Sequence, residues 1–436
     1  MMVLVMSVCA TLAWGQTSHP KRYTFTTIAG TAGLSGSANG INGNARFASP
    51  QGITVDLQGN LFVADYANHT IREVSPVGTD WVVTTIAGTA GIPGNANGFN
   101  STARFNEPVS IAADVQGNLY VADYGNNTIR KLTPSGPNWA VTTIAGLAGN
   151  AGSTDGTNGS ARFSDPSGIT VDASGNLYVA DTYNRTIRKL APVGTDWVVT
   201  TIAGTAQTYG SSDGANSAAQ FQAPAGITVD SLGNLYVADT LNSTIRKLTP
   251  DGTNWVVTTL AGQPENFGST DGTNLDTQFN YPYGITVDAN GNLYVADSFN
   301  YTIRKVAPEG ANWVVSTLGG AALSPGAKDG LAANARFSSM VGIAVDTSTN
   351  LYVGDTENRT IRKGYFAPTP PLTIVLADPN TVVVSWPDVA IYTVQTNSDL
   401  MTTNWDSYGG TVTTSNGTNS VTVSPPTGNL FFRLLE

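Results

Sequence analysis

Carboxylates recur along this chain at a fixed spacing. An Asp stands at positions 65, 123, 181, 239, 297 and 355, a step of 58 residues each time. A second set, Asp56, Asp114, Asp172, Asp230, Asp288 and Asp346, keeps the same step. A third set lies in Asp-Gly pairs at Asp155, Asp213, Asp271 and Asp329, with Asn39 and Asn97 at the matching places. Grouped carboxylates can hold a hard cation such as calcium or share protons in acid–base work. A residue repeated in every copy serves the copy, however. Asp at a strand end accepts backbone N–H groups of a turn. It can also pair with Arg72, Arg130, Arg188, Arg246, Arg304 and Arg362, which share the step. The exchange of Asp for Asn in the third set, with no DxDxDG-type cluster, points to a turn with Gly at positive φ. Calcium at Asp155, Asp213, Asp271 and Asp329 is the weaker reading, and no metal or cofactor is expected.

The chain holds two histidines, His19 and His69, and one cysteine, Cys9. A three-ligand zinc site and a Ser-His-Asp or Cys-His arrangement are therefore excluded as readings, and no enzyme is expected. Positions that differ between copies carry more functional information. In the segment after the strand-two Asp these are Tyr66, Tyr124, Tyr183, Leu241, Phe299 and Glu357, with His69, Arg185, Tyr301 and Arg359 nearby. Tyr209 and Phe267 vary in the long loops. Exposed aromatics mark binding surfaces, so Tyr66, Tyr124, Tyr183, Phe299 and Tyr301 are the candidate ligand-binding residues. Packing on neighbouring loops is the competing reading.

The elements that carry these residues follow from the repeat. Asp165 to Gly204 contains four runs, GITVD, NLYVAD, TIRKL and WVVTTIAG, rich in Val, Ile, Thr and Tyr and closed by turn signals. They read as four antiparallel strands. Strand three alternates Ile inward with Arg outward. Six such units cannot each bury two faces alone, and radial packing solves the problem. The expected fold is all-β, a six-bladed propeller of 58-residue repeats. The chain enters with a lone fourth strand, Tyr23 to Gly30, and leaves after a third strand, Thr360 to Gly364. The first strand should complete the last blade. The second-to-third hairpins and the long connections, about 20 residues each, should emerge on one face and the short turns on the other. The long connection, recurring six times, is expected to be an ordered blade edge.

GITVDxxGNLYVADxxNxTIRK, with TTIAG and ARFxxP in the long connection, resembles the NHL repeat in its long bacterial form. The resemblance covers Tyr23 to Lys363 and implies an NHL / TolB-like propeller. It does not choose among the roles of such propellers, which include an amidating lyase, RNA-binding modules and extracellular interaction domains.

The formal net charge is −10, from 21 Lys+Arg and 31 Asp+Glu. That argues against nucleic acid and acidic membranes as partners. Val3 to Trp14 is apolar but too short to span a bilayer. With Ala13 and Gly15 at the −3 and −1 positions it reads as a signal peptide, residues 1–15, although it lacks a basic n-region. Residues 16–22 are a leader, 23–364 the propeller, 365–371 a Pro-rich linker and 372–436 a module similar to fibronectin or immunoglobulin-like β-sandwiches. The expected function is a secreted or cell-surface, monomeric, non-catalytic module that binds an extracellular protein or polysaccharide on its long-loop face. The alternative is a six-bladed lactonase- or lyase-type enzyme with an axial carboxylate or calcium site.

Overall fold

The computed structural model describes residues 22–366, 372–378, 381–387, 393–398, 405–415, 418–423 and 431–435. The expected signal peptide with Cys9, the leader up to residue 21 with His19, and linker residues 367–371 lie outside the described residues.

Tyr23–Tyr365 make up one unit, built of six sheets arranged as blades. In blade 3 the strands Pro166–Val171, Leu177–Asp181, Thr186–Val193 and Asp196–Ala203 pair antiparallel in that order. The structure adds a fifth strand to the expected four. Gly156–Thr157, from the long connection, pairs with Val199 and Val198 on the outer edge. Strand four would otherwise offer unpaired N–H and C=O groups to solvent and to other chains. A 3-10 turn, Asn158–Ser160, follows. The Asn158 amide oxygen accepts the Trp197 N–H at 2.7 Å, and its NH2 donates to Asp196 at 2.8 Å. The long connection is therefore an ordered blade edge.

Ring closure follows the chain ends. Tyr23–Ala29 lies in the last blade, between Gly330–Leu331 and Thr360–Phe366. The Tyr23 hydroxyl donates to the Thr349 carbonyl at 2.7 Å. Blade 6 joins blade 1 through the Thr356 hydroxyl, which donates to the Pro50 carbonyl at 2.8 Å.

Apolar side chains from adjacent blades make shared cores. Leu177, Val179, Leu190 and Val199 of blade 3 pack with Tyr120, Ala122, Ile129 and Ile144 of blade 2. Trp197 stands edge-on to Tyr120 with ring centroids 5.9 Å apart. The pair recurs as Phe62–Trp139, Tyr178–Trp255, Tyr236–Trp313 and Tyr352–Trp81. Each such pair contributes about 0.5–1.5 kcal/mol beyond its buried area.

Covering both sheet faces overturns one sequence expectation. The strand-three arginines do not point outward to water. Arg72, Arg130, Arg188, Arg246, Arg304 and Arg362 are all fully buried. The period of two does separate Ile from Arg, but the face that carries Arg188 is closed by the long connection (Phe163 and Asp155) and by the preceding blade, which packs on Val179 and Leu190 of that face. Arg188 lies over the Phe163 ring at 5.1 Å and pairs with Asp181 at 2.6 Å. Asp181 also accepts the Ser164 N–H and the Asn184 NH2. An ion pair this deep is tolerated because its hydrogen-bonding capacity is largely met.

The first strands line the axis. Five of them carry Gly at one level (Gly52, Gly168, Gly226, Gly284 and Gly342), and blade 2 has Ser110 there. A Cβ on Gly226 would sit 2.0 Å from the Tyr283 carbonyl oxygen. Glycine lets neighbouring inner strands approach to backbone contact.

The remaining unit contains two small sheets. One runs Thr373–Asp378, Thr381–Pro387, Thr418–Val423, Thr413–Ser415, and the other Asp406–Ser407, Thr393–Asn397, Phe431–Leu435. Val382, Val384, Trp386 and Val421 of the first share a core with Val394 of the second, which makes a small β-sandwich. Among the described residues no helix is long and apolar enough to cross a membrane.

Candidate functional site

The repeated carboxylates are part of the blade frame. Asp155 accepts from Arg188 at 2.8 Å, from the Thr201 hydroxyl at 2.9 Å and from the Thr201 N–H at 3.0 Å. Asp213, Asp271 and Asp329 repeat the pairing with Arg246, Arg304 and Arg362. These oxygens tie the long connection to strands three and four. Asp172 accepts the Ser174 and Asn176 N–H groups of its turn. Asn184, of the Asn-x-Thr pattern, donates to the Gly152 carbonyl at 2.6 Å and so ties hairpin to connection on one face. Among the described residues no three His, Cys, Asp or Glu side chains gather as metal donors.

Some of the side chains that break the repeat gather on that same face. Pro166 pairs with Asp181, so the first strands begin where the second-to-third hairpins turn. The axial cavity, about 830 Å³ with its open ends, is walled by the six first strands. Its mouth is bridged. Tyr283 of blade 5 reaches to Ser167 of blade 3, and their hydroxyls are 2.9 Å apart. This crosses blade 4, whose matching residue is the small Ala225.

Beside this bridge the blade junctions differ. At four junctions a small hydroxyl follows the strand-two Asp and donates to the first strand of the next blade. Thr182 reaches the Pro224 carbonyl and Thr240 that of Pro282, each at 2.7 Å. Ser298 reaches the Met340 carbonyl, and Thr356 that of Pro50 at 2.8 Å. At the other two junctions Tyr66 and Tyr124 hold this position, 6.4 Å apart between ring centroids. The Tyr66 hydroxyl faces Glu107, and the Tyr124 hydroxyl faces Asp165. The backbone of both acidic residues is tied to the hairpin of the preceding blade: the Glu107 N–H donates to His69 Nδ1 at 3.0 Å, and the Asp165 N–H to the Asn127 amide oxygen at 2.7 Å.

The electrostatics follow from partial burial. Tyr66 is raised well above the ordinary phenol range by burial and then by Glu107. Tyr124 is pushed up to about 12, by burial and then by Asp165. Burial and the charge of Glu107 raise Asp165, against the hydrogen bond from Tyr124. Burial lowers His69, against the pull of Glu107 and Asp65. All ten ion pairs among the described residues use the buried blade arginines. Glu107 and Asp165 have no Lys or Arg partner there. The mouth thus offers neutral phenol donors beside two uncompensated carboxylates.

The five aromatic candidates do not converge on one site. Tyr66 and Tyr124 stand together at the mouth. Tyr183 is 60% exposed and shares Arg185 with Tyr209, the guanidinium lying 5.9 and 5.8 Å from the two rings. Phe299 stacks on Tyr281 at 4.4 Å. Tyr301 is half-buried with a left-handed φ of 59°. Sequence reasoning missed Glu107, Asp165, Ser167 and Tyr283. The signal was available, because the FxxPxG segment before each first strand varies from copy to copy as the hairpin tips do.

The fold and its asymmetric mouth define the class: a closed six-bladed β-propeller with five-stranded blades. Residues 47–73, 105–132, 163–190, 221–248 and 279–306 match the NHL repeat, so the chain carries five NHL repeats. The sixth blade has the same strand order without being matched. The chain is 29% identical over 300 residues to NHL repeat-containing protein 2 of Homo sapiens, covering 62% of this chain and 40% of that protein. It therefore spans less than half the length of that relative. Among solved structures it is similar to a protein of unknown function from Bacteroides thetaiotaomicron, with TM-score 0.60 and 22% identity over 78% of this chain and 75% of that one. It is also similar to an auxiliary nutrient binding protein of the same organism, with TM-score 0.58 and 17% identity over 81% and 78%. At these identities the likeness is one of fold.

Proposed function

We propose that this chain is a secreted or cell-surface, monomeric binding module whose ligand, an extracellular protein or polysaccharide, docks at the axial mouth on the long-loop face. The observation that carries this reading is the pairing of Tyr66 with Glu107 and Tyr124 with Asp165. They occupy two adjacent junctions where the other four place a stabilising hydroxyl. A repeat gains nothing structural from giving up that bond, and concave sites with a few convergent polar groups are where ligands bind. The test is a thermal-shift panel of soluble glycans and peptides on the mature chain. Ligand that binds only the folded state raises the midpoint. A shift lost in the Tyr66→Ala, Tyr124→Ala double variant is expected. A shift that survives it moves the site elsewhere.

A lactonase- or lyase-type activity is the second reading. It is favoured by the convergence of phenol, imidazole and carboxylate at one end of the axis. Turnover of a lactone or amide panel, abolished by Glu107→Gln with binding retained, would establish it.

A further inference from the structure

The chemistry of the mouth narrows the ligand further, resting on the mouth reading above. We propose that the group captured between Tyr66, Tyr124 and Tyr283 is an organic cation, an ammonium or guanidinium carried by a peptide or amine. Glu107 and Asp165 are half-buried, and burial together with the charge of Glu107 disfavours the ionised form of Asp165 unless a cation is supplied. Tyr66 and Tyr124 of blades 1 and 2 stand beside them with ring centroids 6.4 Å apart, and Tyr283 of blade 5 is close enough to both phenols to act on them electrostatically. Aromatic faces and carboxylates together favour a desolvated cation, because ring quadrupole and charge act in the same direction.

The neighbours agree in sign. The titratable groups around the two carboxylates are His69, whose Nδ1 is occupied as an acceptor, and the three phenols. None of these brings a positive charge while His69 is neutral. Arg104 and Arg162, three residues before Glu107 and Asp165, donate to the backbone carbonyls of Ala103 and of Gly159 and Ala161, and Arg72, Arg130 and Arg188 are buried against Asp65, Asp123 and Asp181. A hard metal ion fits less well. Calcium takes six to eight oxygens, whereas here two carboxylates are shared with aromatic walls, and no third acidic or His donor joins them among the described residues.

The repeat supplies an independent argument for the placement. The residue before the first strand is Ser49, Glu107, Asp165, Ala223, Tyr281 and Ser339 in the six blades. Acid occurs there only beside the two tyrosine junctions. Charge and aromatic wall therefore depart from the repeat together, as a site requires and as drift of single positions does not.

The test is calorimetric titration of the full chain with N-acetyl-lysine methylamide and tetramethylammonium. The neutral isostere N-acetyl-norleucine methylamide, methyl glucoside and calcium chloride are run in parallel. Both organic cations are expected to bind and the neutral isostere not to. Glu107→Gln and Asp165→Asn should each weaken the cations at least tenfold, while Glu357→Gln, at a hairpin tip of blade 6, leaves them unchanged. Thermal midpoints of all three variants confirm folding. Calcium binding without organic-cation binding overturns the assignment. Glucoside binding that depends on Tyr66 and Tyr124 but not on Glu107 also overturns it and leaves the mouth intact as a site. If no probe binds in a way that any mouth variant alters, both this assignment and the docking reading fall.

Discussion

Blades 1 and 2 differ from blades 3 to 6 at two places that the rest of the ring keeps constant. At the outer edge, Asn39 and Asn97 accept from Arg72 and Arg130, where the other four blades use Asp. At the mouth, Tyr66 and Tyr124 replace the small hydroxyl that stitches one blade to the next. The first change removes a charge from the frame. The second replaces a structural bond with an aromatic side chain facing a carboxylate. Symmetric repeats show what the fold requires by what they hold constant. The arc where they depart is where the proposed binding reading places the ligand.

That comparison can be broken at several levels. The largest effect is expected from the part that both arcs share. Removing a buried guanidinium leaves charge without a partner, so Arg188→Ala should lower stability by about 3–5 kcal/mol in denaturant titration. Arg72→Ala should do likewise, although it strands one carboxylate rather than two. A loss under about 1 kcal/mol in either would show that the pairs do not hold the blades.

The stitch is next. Thr240→Val removes the donor to the Pro282 carbonyl in a buried setting and should cost about 1–2 kcal/mol. Tyr66→Phe should stay within about 0.5 kcal/mol. Tyr66→Thr, which restores the residue type of the other junctions, should be neutral or stabilising by up to about 1 kcal/mol while ligand binding is lost. Equal destabilisation by Tyr66→Phe and Thr240→Val would mean the tyrosines are structural after all.

A smaller effect separates the edges. The edge carboxylates are about half exposed (47% for Asp155), so Asn39→Asp should stabilise blade 1 by no more than about 1 kcal/mol, and less at high salt.

The smallest effect concerns pH. Burial lowers His69 below its ordinary value of 6.5. The unfolded chain therefore binds this proton more readily than the folded one. The contribution of His69 to stability is fully present above pH 6.5 and declines as pH falls through its folded value. An NMR titration of the His69 ring should give a midpoint below 6.5. A midpoint above it would mean that Glu107 outweighs burial and would favour a charged, cation-supplying His69 at the mouth.

Most of the fold was legible because repetition multiplies weak signals. A single run such as Leu177 to Asp181 is ambiguous, but six phased copies fix the four main strands of each blade, the blade number and closure by Tyr23–Ala29. The edge strand Gly156–Thr157 was not legible. Two residues carry no periodicity, and they pair only because strand four leaves an edge open. The outward arginine was misread for a related reason. Alternation tells that Arg188 and Ile187 lie on opposite faces, but not whether the second face is wet. Half of the candidate site was legible in the same way. Tyr66 and Tyr124 stood out against Thr and Ser, while Tyr183 and Phe299 stood out equally and lie elsewhere.

By itself the sequence determined the repeat, the blade and the identity of every side chain that departs from the pattern, because these depend on local periodicity and turn chemistry. Only the tertiary structure decided which departures meet. Tyr283 is 116 residues from Ser167 in the chain, yet their hydroxyls lie 2.9 Å apart. Closing a ring of six blades brings the first strands together around one axis, and spacing along the chain carries no record of that distance.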